Sequence, residues 1–313
     1  MPGLTHIAHA DWSVSDKKRW MACATRQDGG AFLAAAPVPV VETGNLLRRL
    51  KSEAGEGGCA LAGFDFPIGL PSAYASKAGI RDFTEILLNW GEGRWADFGK
   101  VARHAQEVRL ERPFYPQEPR GSRRSDLSTG LGIEWQALYR ECERAHPGRR
   151  AACPLFWTLG GQQVGKAAIS GWNEVLAPAL RDTDHPVAIW PFAGKLSELI
   201  KPGRVVIAET YPGEFYNSLG LSGKRWSKRR QEDRQSRAGV IVEWAKRRGI
   251  TLAEDLHEQI QDGFGDSMSG EDRFDAVIGL FGMLNTLYNG IDEPDDKEIR
   301  SVEGWILGQK WRA

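Results

Sequence analysis

Residues 270–284 read GEDRFDAVIGLFGML and set two carboxylates, Asp272 and Asp275, three residues apart at the start of an apolar helical run. Residues three apart share a helix face, and that face continues through Gly279 and Gly282. The spacing therefore predicts a helix whose acidic opening leads into a stripe of small residues able to approach a neighbour closely. Phe274, Val277, Ile278, Phe281 and Leu284 cover the other side and suit a core. The helix dipole favours a first-turn carboxylate by ~0.3–1 kcal/mol, which accounts for Asp272. It accounts less well for Asp275, which stands where burial begins. A carboxylate there needs a cation, a group of N–H donors or a proton.

Two other apolar segments also end on acids. CALAGFDFPIGLP (59–71) and VVIAETYPGEF (205–215) each open as a continuous apolar strand, suited to the middle of a sheet covered on both faces. Asp65 and Glu209 are the first acids after them, each followed closely by a proline turn. Asp11 closes IAHAD (7–11) in the same manner. In open α/β sheets the crevice beyond the carboxyl ends of the strands is where ligands bind. His6 and His9 precede Asp11, but three residues apart on a strand they face opposite ways and make a poor metal pair.

The rest of the chain fits around these ends. THIAHADW (5–12), RWMACATR (19–26) and AFLAAAPVPV (31–40) read as an antiparallel meander joined by polar turns, and ETGNLLRRLKSEAGE (42–56) as an amphipathic helix. From 72 to 185 the chain turns aromatic and loop-rich, with helical stretches, and reads as a mainly helical insertion. HPVAIWPF (185–192) and GRVVIAETYP (203–212) resume the sheet, followed by a basic helix at 227–248 and an acidic one. The expected architecture is α/β: a core domain of 1–71 and 186–313, a mixed sheet flanked by helices, interrupted by a cap at 72–185.

Composition narrows the function classes. The 313 residues carry 41 Lys and Arg against 41 Asp and Glu, which excludes a uniformly basic surface. The charge is segregated: GKRWSKRRQEDRQSR (223–237) holds seven cations against two acids, while 251–272 holds seven acids and no Lys or Arg. Such blocks place a candidate anion-binding run, Lys224, Arg225, Lys228, Arg229 and Arg230, close after the Glu209 strand end. The four cysteines form no CxxC pair, so neither a zinc site nor a disulfide framework is signalled. No apolar run approaches the ~20 residues of a membrane span, and the expected setting is cytoplasmic.

ADWSVSDKKRWMA (10–22), FDFPIGLP (64–71), AETYPGEFYNSLG (208–220), DRFDAVIGL (272–280) and the tail EGWILG (303–308) together resemble the DUF 429 family of predicted ribonuclease H-like nucleases. The Asp–x–x–Asp–Ala of the helix is also similar to that of Holliday-junction resolvases of the RuvC type. The resemblance implies a ribonuclease H-like fold, nucleic acid as partner, and two Mg²⁺ or Mn²⁺ ions held by Asp11, Asp65, Asp272 and Asp275. Glu209 matches the first family and has no counterpart in the resolvase set. An all-oxygen carboxylate site suits such hard ions, and two of them can clamp the attacking and leaving oxygens of phosphodiester hydrolysis.

Other readings compete. An ATP-handling enzyme of the actin and sugar-kinase type would need a glycine-rich phosphate turn after the first hairpin, where DWSVSDKK (11–18) has none. A non-enzymatic binding relic of the fold is a third. GGQQVGKA (160–167) matches the opening of a nucleotide P-loop but has Ala167 in place of the metal-binding Ser or Thr, and reads better as a helix with Val164, Ala168 and Trp172 on one face. The Arg and aromatic residues of RPFYPQEPRGSRR (112–124) are candidates for backbone contact and base stacking.

Overall fold

The computed structural model describes residues 3–146, 149–159, 164–221 and 226–311. In chain order the elements are strands β1 (Leu4–Asp11), β2 (Trp20–Arg26), β3 (Phe32–Ala34) and β4 (Val38–Pro39), helix α1 (Leu46–Ala54) and strand β5 (Cys59–Phe64). Helices α2 (Ser72–Ala78), α3 (Phe83–Leu88), α4 (Arg124–Leu131), α5 (Val164–Gly171) and α6 (Ala177–Arg181) follow, then strand β6 (Val187–Ile189), helix α7 (Leu196–Leu199) and strand β7 (Val205–Glu209). The chain closes with α8 (Pro212–Phe215), α9 (Gln231–Gln235), α10 (Ala238–Arg247), strand β8 (Thr251–Leu252), α11 (Glu254–Gln261) and α12 (Ser269–Asn289). This is an α/β protein of two compact units: Met1–Asp65, Leu196–Asp292 and Ile306–Lys310 form the first, and Phe66–Lys195, Glu293–Trp305 and Trp311–Ala313 the second.

In the first unit the sheet runs β7-β5-β1-β2-β3-β8, with β4 also on β2. β1, β2 and β3 are an antiparallel meander, while β5 runs parallel to β1 and β7 parallel to β5. The apolar runs explain the centre: every residue of β5 and β7 is buried, as strands covered on both faces require. The expected third strand is two short ones, because Pro37 and Pro39 lack the N–H a continuous ladder needs. Likewise the expected basic helix is broken in two at 236–237.

One sheet face carries α1, whose Leu46, Leu50 and Ala54 are buried while the charges between them are not. The other carries α12, buried continuously from Phe274 to Thr286 and not on one stripe alone. The glycines permit it. A Cβ on Gly279 would lie 2.1 Å from the His9 ring of β1, and one on Gly282 would lie 1.9 Å from the Phe215 ring of α8. Away from that stripe Phe281 stacks on Trp244 of α10, centroids 5.2 Å apart.

The second unit is helical and built on aromatics. Trp172, fully buried, meets Phe83, Trp90, Phe98 and Phe114 with ring centroids 5.1–6.3 Å apart, and its Nε1 donates to the Pro67 carbonyl at 2.7 Å. Phe114 and Tyr115 of the loop read as a stacking platform are buried too, so these rings are core. Residues 66–71, 186–195 and 293–305 also pack here, beyond the expected cap at 72–185. Their polar ties explain why: Trp190 Nε1 donates to Glu293 at 2.8 Å, and the buried Glu303 accepts from the Ser72 and Glu141 amides at 3.0 and 2.7 Å.

Candidate active site

The meander and the parallel step to β5 bring two strand ends side by side. Ala10 pairs with Phe64 and accepts the Asp65 amide at 3.0 Å, so Asp11 and Asp65 leave neighbouring strands at one level. Alternation along β1 puts Asp11 on the face of His9, and that face is fixed against α12. His9 Nδ1–H donates to the Ala276 carbonyl at 3.0 Å, and the Arg273 guanidinium lies 5.1 Å over the ring of Trp20, Asp11's partner on β2. Asp272 and Asp275 occupy the first two turns of α12 beside these strand ends.

Electrostatics describes the same convergence. Burial raises the pKa of Asp11 well above the usual carboxylate range, and Asp275, Asp65 and Asp272 push it further. Asp65 is raised to about 7 by burial and by the charges of Asp275 and Glu209, with Lys228 opposing. Asp272 is raised to about 6, first by burial, with Lys18 opposing and Glu271 and Asp275 adding to the rise. All three are half-buried, and among the described residues none makes an ion pair or a side-chain hydrogen bond.

Asp275 differs. It is 4 % exposed, accepts a hydrogen bond from the Tyr216 hydroxyl at 2.8 Å, and is held by the Lys228 ammonium. Burial raises its pKa while these two partners work against the rise. Lys228 also reaches Glu271 at 3.2 Å. Burial pulls the ammonium pKa down, but Asp275 and Glu271 outweigh it and the net shift is upward, so this lysine stays charged.

Glu209 occupies a different position from Asp65. It pairs with Phe64, and the residue level with Asp65 is Thr210, whose amide donates to the Phe64 carbonyl at 2.9 Å. A one-residue offset reverses the direction of an extended side chain, so Glu209 belongs to the register of Ala10 and Phe64 rather than to that of Asp11. Its charge still raises Asp65.

The basic run is largely committed to acids of its own unit. Lys228 is in the carboxylate cluster, Arg229 lies 3.8 Å from Glu271, and Arg230 pairs with Asp233 at 2.6 Å. Lys224 and Arg225 lie outside the described residues. Three features of the site escape a reading of the sequence: the Tyr216 hydrogen bond, Glu271 and the inward placement of Lys228. Their signal is proximity to the Glu209 turn and to Asp272, which does not say which way a loop folds.

His6 and His9 do face opposite ways. On the α1 face His6 Nε2 lies 3.1 Å from Glu53, and a donor atom from each of His6, Cys23 and Glu53 falls within 4.8 Å of the others. Burial lifts the Cys23 thiol to about 12 and, with Arg49, lowers His6 to about 4, so this trio is neutral at its sulfur and imidazole near pH 7.

Compared with protein-family models, with curated proteins and with solved structures, the chain matches none.

Proposed function

We propose that this protein is a metal-dependent nuclease of ribonuclease H-like architecture. One observation carries the reading: Asp11, Asp65 and Asp272 converge with Asp275, half-buried and, among the described residues, without an ion-paired cation on them. Like charges so placed must take up protons or cations. The donor set is all carboxylate oxygen, which fits Mg²⁺ or Mn²⁺ and disfavours softer ions. The order of elements supports the same architecture: an antiparallel meander, a helix, a parallel central strand, a further parallel strand, and a late helix opening on acids.

Asp11, Asp65 and Asp275 would hold the ions, with Asp272 at the margin and Glu209 acting through its charge. When bound, such ions lower the pKa of attacking water and stabilise the leaving 3′-oxygen. The chain's own groups do the positioning. Tyr216 and Lys228 fix the Asp275 carboxylate from two sides, so one of its oxygens is directed by a hydroxyl and the other by an ammonium. His9 and the glycine stripe set how close α12 stands to β1, and hence how far Asp275 lies from Asp11.

The test is hydrolysis of single-stranded, duplex, hybrid and branched substrates with Mn²⁺, comparing the wild type with Asp11→Asn, Asp65→Asn and Asp275→Asn. Loss in all three is expected. Hydrolysis that survives all three substitutions removes these carboxylates from catalysis.

A further inference from the structure

The second unit contains a cleft of about 600 Å³ whose charged lining is Lys100, Arg103, Arg112 and Lys166 against the single acid Glu107. Four cations less one acid leave +3 at one opening, in a chain whose total charge is zero. Two of the cations are held in place. Arg112 donates to the carbonyls of Lys100 and Val101 at 3.3 and 2.9 Å and lies 3.3 Å from Glu107, and Arg103 Nε donates to Gln117 at 2.9 Å. Glu107 also accepts from the Arg103 and His104 amides at 2.7 and 3.4 Å, and as one carboxylate it offsets only one of the four cations. Lys100 is tethered at the rim to Asp97 at 2.9 Å. Lys166 pairs with no carboxylate among the described residues; α5 presents it here because Ala168 and Trp172 take the buried side of that helical segment.

We propose that this cleft binds the phosphates of a nucleic-acid strand. Fixed guanidiniums select planar, bidentate oxyanion contacts, and the ammoniums of Lys166 and of the rim-tethered Lys100 act as point charges on neighbouring phosphates. The volume suits a run of sugar-phosphate rather than one small anion. The buried aromatics of this unit offer no exposed stacking platform at Phe114 or Tyr115, so the contact is with the backbone and tolerates sequence. The choice of nucleic acid over other polyanions rests on the nuclease reading; the charge and geometry of the cleft do not.

Binding of a fluorescein-labelled single strand, followed by anisotropy in EDTA across a salt series, tests it without catalysis. The Arg103→Gln/Lys166→Gln double variant should bind at least tenfold more weakly. Its slope of log K against log salt should flatten by about 1.4, at ~0.7 for each phosphate of the single strand that is no longer neutralised. Lys166→Arg should keep the wild-type slope, and matching circular dichroism and melting curves show that the variants fold. Inorganic phosphate is the competing arm: if it displaces the strand at concentrations that change ionic strength negligibly, the site is for a free anion and the proposal fails. Unchanged affinity and slope in the double variant also overturn it. A chain that hydrolyses nothing yet shows the slope change keeps the cleft and loses the nuclease, and active wild type with an unaltered slope does the reverse.

Discussion

Among the described residues Asp11, Asp65 and Asp272 stand half-buried and unpaired, whereas Lys100, Arg103 and Arg112 stand at an open cleft, each already held by an acid, an amide oxygen or a carbonyl. Both are groups of like charge, but they obey different electrostatics. In the cleft water and salt screen the repulsion, so the cations cost little to keep together and act on whatever approaches. In the cluster burial itself disfavours the charged carboxylates and the neighbouring acids add to it, so Asp272 and Asp65 keep their protons to about pH 6 and 7. A screened charge group is poised to attract a polyanion; a desolvated one is poised to take an ion. Lys228 marks the boundary within the cluster, since among the described residues Asp275 is ion-paired and Asp11, Asp65 and Asp272 are not.

The largest expected effect separates the regions by chemistry. Losing one carboxylate from the cluster removes several kcal/mol of charge stabilisation, about 10³-fold or more in Mn²⁺-dependent hydrolysis at 1.36 kcal/mol per decade. The cleft double variant should lose rate through KM with kcat nearly intact, as steady-state kinetics on one substrate will report.

Next is the packing that holds the cluster. Gly279→Ala or Gly282→Ala puts a methyl group where a ring already lies, and should destabilise the fold by about 1–3 kcal/mol in urea unfolding. A drop below about 0.5 kcal/mol would mean that α12 has slack against β1 and α8.

Third, an excess of Mn²⁺ should stabilise the native state by about 1–3 kcal/mol at tens to a hundred times Kd. Calorimetry should find the shift reduced in Asp11→Asn and Asp65→Asn and unchanged in the cleft variants. An equal shift in all of them would erase the distinction between the regions.

The smallest effect is on metal-free stability, and its pH dependence carries a sign. Folded Asp65 keeps its proton to about pH 7, while the unfolded carboxyl releases it near pH 3.9. Between those values the native state binds more protons, so stability falls as pH rises and the full cost is present above about 7. Asp65→Asn lacks that loss, and the gap between variant and wild type should widen from about pH 4 to 7. His6 and His9, lowered to about 4 and 3, act oppositely: below about pH 6.5 the unfolded imidazoles gain protons and stability falls with acidity. That contribution is common to both chains and cancels in the difference. Asp275→Asn should show a smaller gap than Asp65→Asn, because Lys228 already offsets the charge that it removes.

What is legible in the sequence follows from which effects are local. Asp11, Asp65, Asp272 and Asp275 can be singled out because an apolar strand or helix has an end, and an acid at that end is conspicuous. The Gly279–Gly282 stripe is legible from helical periodicity alone. Glu209 looks equivalent to Asp65 because distance from a strand end can be counted, but facing is decided by which residue of β5 pairs with which of β7, and that register is tertiary. Lys228 reads as reaching outward because a basic run looks solvated until the loop carrying it is seen to fold onto α12. The grouping of His6, Cys23 and Glu53 comes from three separate elements and leaves no spacing to read.

The contact between His9 and α12 has a consequence for constancy. Its hydrogen bond to Ala276 is made by a neutral ring, and burial delays protonation of that ring to about pH 3. Asp65 and Asp272 of the same cluster change charge near pH 7 and 6, yet the pin between strand and helix does not. Acidity can therefore alter how much charge the cluster carries without altering the gauge at which its members are set.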